Sequence, residues 1–377
     1  MRKQPETKRI PCRGITRRDF LRLAGVTAAS LALAACQVQD QQLGGAGGTA
    51  LKPVLTAAQV AIAKIQDYEQ SELDRTVYQL IDQLGGLGDI VKSGDRVAIK
   101  VNMTGGVNSG SLPGVSPIES FITHPGVVAA LVKQVKIAGA NEVYIVEAAY
   151  EWESYTQWGY EEMAADVDAA LINLNDARPY DDFVDAPVGK DNFIYSNFIF
   201  NKLLLDVDVF MSVSKMKNHY NAGVTHTMKN LYGLVPYRFY TLNKGDSYRS
   251  GFHGAEEQTR SRLPRVIIDL NRARPIHFSL VDGIKASQGG EGPWIQTMSV
   301  IEPGLLIAGK NPVSTDAVAT ACMGHDPTAN YPDDPFIRCD NHLNLAYAVG
   351  LGTNHLEEIE VLGATIDEVK KQFTPAR

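Results

Sequence analysis

Cysteine is scarce: four in 377 residues, and no two of them form a C-x-x-C pair. That leaves no ligand set for a ferredoxin-type iron–sulfur cluster or a cysteine zinc site. No H-E-x-x-H marks a metalloprotease helix, and no G-x-S-x-G elbow supports serine-hydrolase chemistry. The glycine stretches "SGSLPG" and "GGAGG" do not sit between a strand and a helix as phosphate-binding loops do. No internal repeat of about 20 to 50 residues is visible. Positive charge is also short, with a formal net charge of −7. No extended basic patch is present, which excludes nucleic acid as a partner.

The positive charge that exists is unevenly placed. Arg2, Lys3, Lys8, Arg9, Arg13, Arg17, Arg18 and Arg22 precede residue 36, against only Glu6 and Asp19. The remaining body is therefore more acidic than the total suggests. In "ITRRDFLRLAGVTAASLALAAC" the Arg17-Arg18 pair precedes an apolar run too short to span a membrane and rich in small residues. This reads as an export signal, and the twin arginine points to the Tat machinery. Leu33-Ala34-Ala35-Cys36 resembles a bacterial lipobox, in which Cys36 is lipidated and becomes the mature N-terminus.

Residues 1–35 are thus expected to be a Tat-type lipoprotein signal peptide, and 36–53 the lipidated cysteine with a flexible tether. The 14 residues after Cys36 are polar and Gly-rich, with an average reach of about 20 Å. A single α/β domain over 54–377 follows, held on the periplasmic side of the cell envelope and meeting membrane through its lipid alone. Cys12 leaves with the signal. Of the remaining cysteines, Cys322 sits in the apolar "DAVATACMG" and reads as a buried small hydrophobe; pairing with Cys339 stays open.

The body alternates strand-like and helix-like segments. "VAIAKI", "VAIKVNM", "NEVYIVEAA", "IHFSLVDGI", "PGLLIAG" and "EIEVLG" read as strands. "SELDRTVYQLIDQLGG", "HPGVVAALVKQVKIAGA", residues 160–167, "RVIIDLNRA", "PVSTDAVATACMG", residues 343–349 and "TIDEVKKQF" read as helices. His124 reads as a helix cap ahead of Pro125. "FVDAPVG" and "NFIYSNFIF" alternate with period two around "GKDN", suggesting a hairpin. "LLLDVDVFMSVSKM" is apolar almost throughout, as a strand covered on both faces must be. The expected fold is α/β: a mostly parallel central sheet flanked by helices, with a β-hairpin or antiparallel edge. Residues 236–262 are aromatic, basic and irregular, and read as a functional lid or flap.

Ligands in such sheets bind beyond the carboxyl ends of strands. "SKMKNHYNAGVTHTMKNLYG" gathers Lys215, Lys217, His219, His226 and Lys229 there, after a strand expected to end at Val213. A short helix over "GVTHTMKNLYG" would place His226 and Lys229 on one face, with free N–H groups near Gly223 to Thr225 adding positive potential. This suits phosphate, carboxylate or a developing enolate. Asp206 and Asp208 are expected to pair with these lysines.

The segment "SVSKMKNHYNAGVTHTMKNLYGLVP" resembles that of the domain-of-unknown-function family 362, in which a lysine, a polar position and a histidine precede a "KN-aromatic/Leu-G" motif, here Lys229-Asn230-Leu231-Tyr232-Gly233. "VAIKVNM", "VDGIKASQGGEGP" and "GLLIAGKNPVSTDAVATACMGHDP" agree, so the likeness covers most of residues 95–330. The resemblance implies a fold and a site, with no agreed reaction. Some relatives carry added iron–sulfur domains, for which this chain lacks the cysteines.

Lys100 and Asn102 alternate at a strand end, where an ammonium and an amide can meet an anion. Asp282 ends another strand ahead of the Gly289-Gly290 turn, whose amides offer an anion cradle, and Glu291 offers a general base. Asp316 lies in a first helical turn, where it serves the macrodipole and ranks second as a binding residue. As expected roles, His219, His226 and Glu291 are catalytic. Lys100, Asn102, Lys215, Lys217, Lys229, Asn230, Asp282, Gly289, Gly290 and Asp316 bind substrate. His219, His226, Asp282 and Glu291 also form a mixed N/O set for a divalent metal, although their spacing matches no tight signature. The expected protein is an enzyme on a small anionic substrate, by acid/base chemistry with or without a metal. The alternative is a non-catalytic solute- or metal-binding lipoprotein.

Overall fold

A computed structural model of the chain describes residues 58–377; the export signal, Cys36 and the tether lie outside the described residues. Twelve strands follow in chain order: β1 (Gln59–Lys64), β2 (Arg96–Lys100), β3 (Glu142–Glu147), β4 (Ala170–Asn173), β5 (Phe183–Pro187), β6 (Asn197–Asn201), β7 (Val209–His219), β8 (Gly223–Thr225), β9 (Phe278–Gln288), β10 (Ser299–Ile301), β11 (Leu305–Gly309) and β12 (Glu360–Gly363). The main sheet runs β12-β1-β11-β9-β7-β2-β3-β4, with β8 added to β7 and β10 to β9. β9, β7, β2, β3 and β4 are mutually parallel, as are β1 and β12. β11 runs antiparallel to both its neighbours. The expected hairpin exists, but β5 and β6 form a separate two-stranded sheet.

Alternation decides which helices cover which face. Ile99, Met211 and Val213 pack with helices α1 (Gln70–Gln83) and α2 (Pro125–Ile137). Ala98 and Phe210, one residue out of step, pack with α3 (Thr259–Ala273). Val60, Ile62, Val281 and Ile307 pack with α4 (Pro312–Cys322). Both faces of β7 are covered and all its residues are buried, as its apolar sequence requires. Cys322 and Cys339 are both free and buried. Among the described residues, no helix is long and apolar enough to cross a membrane.

Four expectations need correction. β7 continues through Lys215, Lys217 and His219 rather than ending at Val213, because a tight turn folds β8 back on it in the register Lys217↔Thr225, Asn218↔Val224 and His219↔Gly223. Residues 223–225 are therefore strand, with no helix N-terminus there, and a 3-10 turn over Lys229–Leu234 follows. Upstream, Leu203–Asp206 is helical, and Asp208 accepts the Arg96 amide at 2.9 Å while Asp206 pairs with Lys202 at 3.5 Å. Neither aspartate serves the lysine cluster. The final helix is only Ile366–Val369.

One buried carboxylate joins the small hairpin to the body. Asp269 on α3 accepts the backbone amides of Phe193, Ile194 and Tyr195 at 2.8, 2.7 and 2.9 Å. Asp269→Ala orphans three donors and is expected to lower stability by about 3 kcal/mol. Urea denaturation checks this, and an unchanged midpoint would refute it.

Candidate functional site

The carboxyl-terminal half of β7 lifts cations into the sheet, and two kinds of lysine emerge. Lys215 is fully buried and saturated: its ammonium donates to Asp282 at 3.0 Å, to the Tyr68 hydroxyl at 2.8 Å and to the Ile118 carbonyl at 3.2 Å. Asp282 also accepts the Tyr68 hydroxyl and the His124 amide, each at 3.0 Å. The Tyr68 ring stacks on His124, whose Nδ1 accepts the Gly126 amide and caps α2 as expected.

Lys100 is saturated in the same way. It donates to Glu147 at 2.8 Å, to the Val101 carbonyl at 2.6 Å and to Asn230 Oδ1 at 3.2 Å. Asn102 Nδ2 donates to that same Asn230 oxygen at 3.0 Å. Asn230 in turn donates to Ser212 Oγ and the Val213 carbonyl, so the amide locks β2 to β7. A side chain at Gly233 would collide with the Glu147 carboxylate and the Lys100 ammonium. That explains the glycine four residues after Lys229.

Lys217 and Lys229 differ. Lys217 donates to the Phe121 carbonyl at 2.8 Å and the Glu291 carbonyl at 3.3 Å. Lys229 lies 4.3 Å from the centre of the Tyr232 ring. Among the described residues, neither has a carboxylate within ion-pairing distance. Burial pushes Lys217 well below the usual lysine range, with Lys229 adding to the effect. Burial also brings Lys229 down to about 8, against the pull of Glu291.

His219 and Glu291 complete this group. Glu291 accepts the Tyr220 amide at 2.9 Å and the Trp294 indole N–H at 3.4 Å, and its Oε2 lies 3.9 Å from His219 Nδ1. His219 Nδ1 accepts the Asn221 amide at 3.1 Å, an assignment that puts the ring proton on Nε2. Burial first, then Lys229, holds the imidazole well below its ordinary value and hence neutral.

His226 faces elsewhere. Both of its ring nitrogens are buried without a partner, as are those of His342. Burial brings each ring down to about 3, and the charges acting on His226 are His342 and His325. Asn218 Nδ2 lies 3.4 Å from His325 Nε2. Because β8 is a strand, His226 and Lys229 do not share a helix face.

Asp316 is not a solvent-facing macrodipole residue. It is fully buried and accepts the Thr227 amide at 2.9 Å, the Thr227 hydroxyl at 2.6 Å and the Met228 amide at 2.9 Å. It thereby fastens the bend between His226 and Lys229 to α4, and burial raises its carboxyl to about 7. The glycine turn is likewise structural. Gly289 donates its amide to the Thr374 carbonyl, and at φ +71° a side chain there would strike the Thr297 carbonyl. Gly290 is pressed against Ile295. The Gly289 amide is already taken and cannot cradle an anion.

Several contributors escaped sequence reading. Glu147 ends an apolar strand, and the strand-end rule that singled out Lys100 applies to it equally. Arg249, His253 and His342 carry no local signal, while Tyr232 lies inside the Lys229–Gly233 motif. Arg249 reaches from the 236–262 segment to donate to the Val235 and Ala148 carbonyls, and lies 5.5 Å from the Tyr232 ring. Tyr232 contacts the Arg249 carbonyl and His253 Nε2. Part of the expected flap is therefore packed against the roof of Lys229. A cleft of about 360 Å³ lined by Val188, Met228, Asn271 and Leu351 holds none of these ionisable groups. Among the described residues, no set of three or more His, Cys, Asp or Glu is arranged to hold a metal ion.

The pattern of a family described as "Domain of unknown function (DUF362)" matches residues 97–321. A Synechocystis sp. protein described as thylakoid-associated protein sll1697 is 27% identical over 270 residues, covering 71% of this chain and 75% of the relative. Among solved structures, the lactate racemase apoprotein from Thermoanaerobacterium thermosaccharolyticum is 14% identical with a TM-score of 0.37, covering 69% of this chain and 56% of that one. A Thermotoga maritima protein is 12% identical with a TM-score of 0.34, covering 61% and 54%. The chain thus spans less than two thirds of either structure.

The buried Lys100–Glu147 pair gives a direct stability test. Glu147→Gln strands a buried ammonium and is expected to cost about 3–5 kcal/mol, while adding Lys100→Met recovers most of the loss. Chemical denaturation of the single and double variants measures it. A double variant as unstable as the single would refute the pairing argument.

Proposed function

The chain belongs to the DUF362 family, and from that premise we propose an envelope-anchored enzyme acting on a small anionic substrate by acid/base chemistry. One observation carries the reading. Four buried lysines gather near the ends of the central strands, yet among the described residues only Lys100 and Lys215 have carboxylate partners. A buried ammonium without a counter-charge is costly, and an anionic ligand supplies the missing charge. Lys229 would hold that anion, with Lys217 beside it in the same cluster. His219 and Glu291, 3.9 Å apart, would move the proton. Lys100, Lys215, Asp282 and Asp316 act as struts that place these groups.

The anchor rests on Arg17-Arg18 and on the Leu33 to Cys36 lipobox. A relative described as thylakoid-associated fits a working place at a membrane surface.

Ligand response has a definite pH sign. Lys229 attracts an anion while protonated, so binding is full below about 8 and falls as pH rises through that value. A bound anion favours the ammonium and moves the fall upward. Thermal shifts with inorganic phosphate and with short carboxylic acids should follow this profile. Lys229→Met should weaken the response at least tenfold, about 1.4 kcal/mol, and His219→Ala should abolish turnover, with the ligand-free melting temperature little changed. Both variants responding like the parent would refute the site. An anion held tightly in the parent but never converted would turn the reading to a solute-binding lipoprotein.

Cys36→Ser should abolish incorporation of labelled fatty acid and move the protein from the membrane to the soluble fraction. Retention with unchanged labelling would refute the anchor.

A further inference from the structure

Lys217 stands apart even within this cluster. Lys100 and Lys215 each spend their N–H groups on a carboxylate plus neutral acceptors, the pattern of a permanent ammonium. Lys217 meets two backbone carbonyls, Phe121 at 2.8 Å and Glu291 at 3.3 Å. Two acceptors match the two N–H bonds of a neutral amine and leave its lone pair in the remaining tetrahedral direction. The Glu291 carboxylate is engaged with Tyr220 and Trp294, so only its carbonyl faces this lysine.

The surroundings favour the neutral form. Lys217 is fully buried, Lys229 and Lys215 repel its charge, and the opposing carboxylates, Glu291 and Glu147, do not reach ion-pairing distance. A desolvated lysine among other cations is how an amine nucleophile is activated at neutral pH. Directly across the β7/β8 ladder, Thr225 pairs with Lys217, and cross-strand partners share a face. The Thr225 hydroxyl is buried with no hydrogen-bond partner among the described residues. An unspent hydroxyl thus stands on the same sheet face as the amine, and a polar group from outside could engage both.

We infer that Lys217 is a nucleophile that forms an imine with the carbonyl carbon of a small oxo acid, whose carboxylate is held by Lys229. The inference rests on the anion-binding reading and gives it a substrate class. In the step, the lone pair of Nζ attacks the carbonyl carbon and the C=O π pair moves to oxygen, which takes up a proton while nitrogen loses one. The carbinolamine oxygen then takes a second proton and leaves as water as the C=N bond forms, and the nitrogen gives up its remaining proton. No electrons enter or leave, and the net products are the imine and one water. The Thr225 hydroxyl would donate to the carbonyl oxygen, and the His219–Glu291 pair would manage the proton traffic.

Trapping tests this on the full chain. The protein is incubated with pyruvate or glyoxylate and sodium cyanoborohydride, whose hydride reduces an imine to a stable secondary amine, with propionate as the carbonyl-free control. The expected result is one adduct per chain by intact mass, mapped by peptide sequencing to Lys217, absent with propionate and lost in Lys217→Arg. Mapping in the parent protein decides the point even if that variant fails to fold. Adducts scattered over surface lysines, or unchanged in Lys217→Arg, would overturn the inference. No adduct despite Lys229-dependent stabilisation by pyruvate would overturn the imine and leave the anion site standing. Neither adduct nor stabilisation by any anion tested would overturn both.

Discussion

A buried positive charge must be answered, and the central part of this protein is organised around that constraint. Taking an ammonium out of water costs several kcal/mol unless a carboxylate and further acceptors replace the solvent. β7 and its neighbours bring four lysines into the interior, and the chain answers two of them completely. Glu147 reaches Lys100 from β3, and Asp282 reaches Lys215 from β9. Each pair bridges two parallel strands, so neutralising the charge also ties the sheet together at the end where ligands bind in such folds. Lys217 and Lys229 are left to be neutral or to wait for an outside charge. That asymmetry separates scaffold from site.

The scaffold around the unanswered pair is unusually well fixed. Asn230 binds β2 and β7 at once, Asp316 holds the Thr227–Met228 backbone from α4, and Arg249 clamps the 236–262 segment onto the Val235 and Ala148 carbonyls. These bonds reach the residues that flank Lys229 from three sides. Reacting groups held by locked neighbours need little rearrangement when a ligand arrives, which is the condition for electrostatic preorganisation. The orphaned rings of His226 and His342 show where polar capacity is left over after the scaffold is satisfied.

Much of this was legible in the residues. Periodicity placed the main strands and helices, and Lys100, Lys215, Asp282 and Glu291 stood out in the residues, although β7 and β9 run on past Lys215 and Asp282 instead of ending there. What failed was local and had tertiary causes. The cluster from Gly223 to Gly233 has a helical look, yet pairing with β7 makes its first part a strand, because ladder bonds to a buried strand outweigh modest helix propensity. That change removes the helix face that His226 and Lys229 were expected to share. Gly289 suggested an anion cradle, but its amide already serves Thr374, eighty-odd residues along the chain, a pairing no spacing reveals. His342 and Arg249 are single residues in ordinary contexts, and only the fold brings them near Lys229.

Protonation and binding must be coupled in a site built this way. On the proposed reading, an anion entering beside Lys229 stabilises its charged form, so near neutral to mildly alkaline pH the complex takes up a proton that the free protein holds less firmly. His219 is kept neutral by burial and by Lys229 itself, so an anion that screens Lys229 also relieves His219 and makes its ring a better base. Substrate would thus prepare its own proton acceptor. Lys217 feels the same relief, but its two carbonyl partners are fixed backbone groups that suit either form of the amine. On the proposed reading Lys229 and Lys217, both without a counter-ion among the described residues, are therefore not duplicates: one senses the arrival of negative charge, and the other keeps a lone pair available.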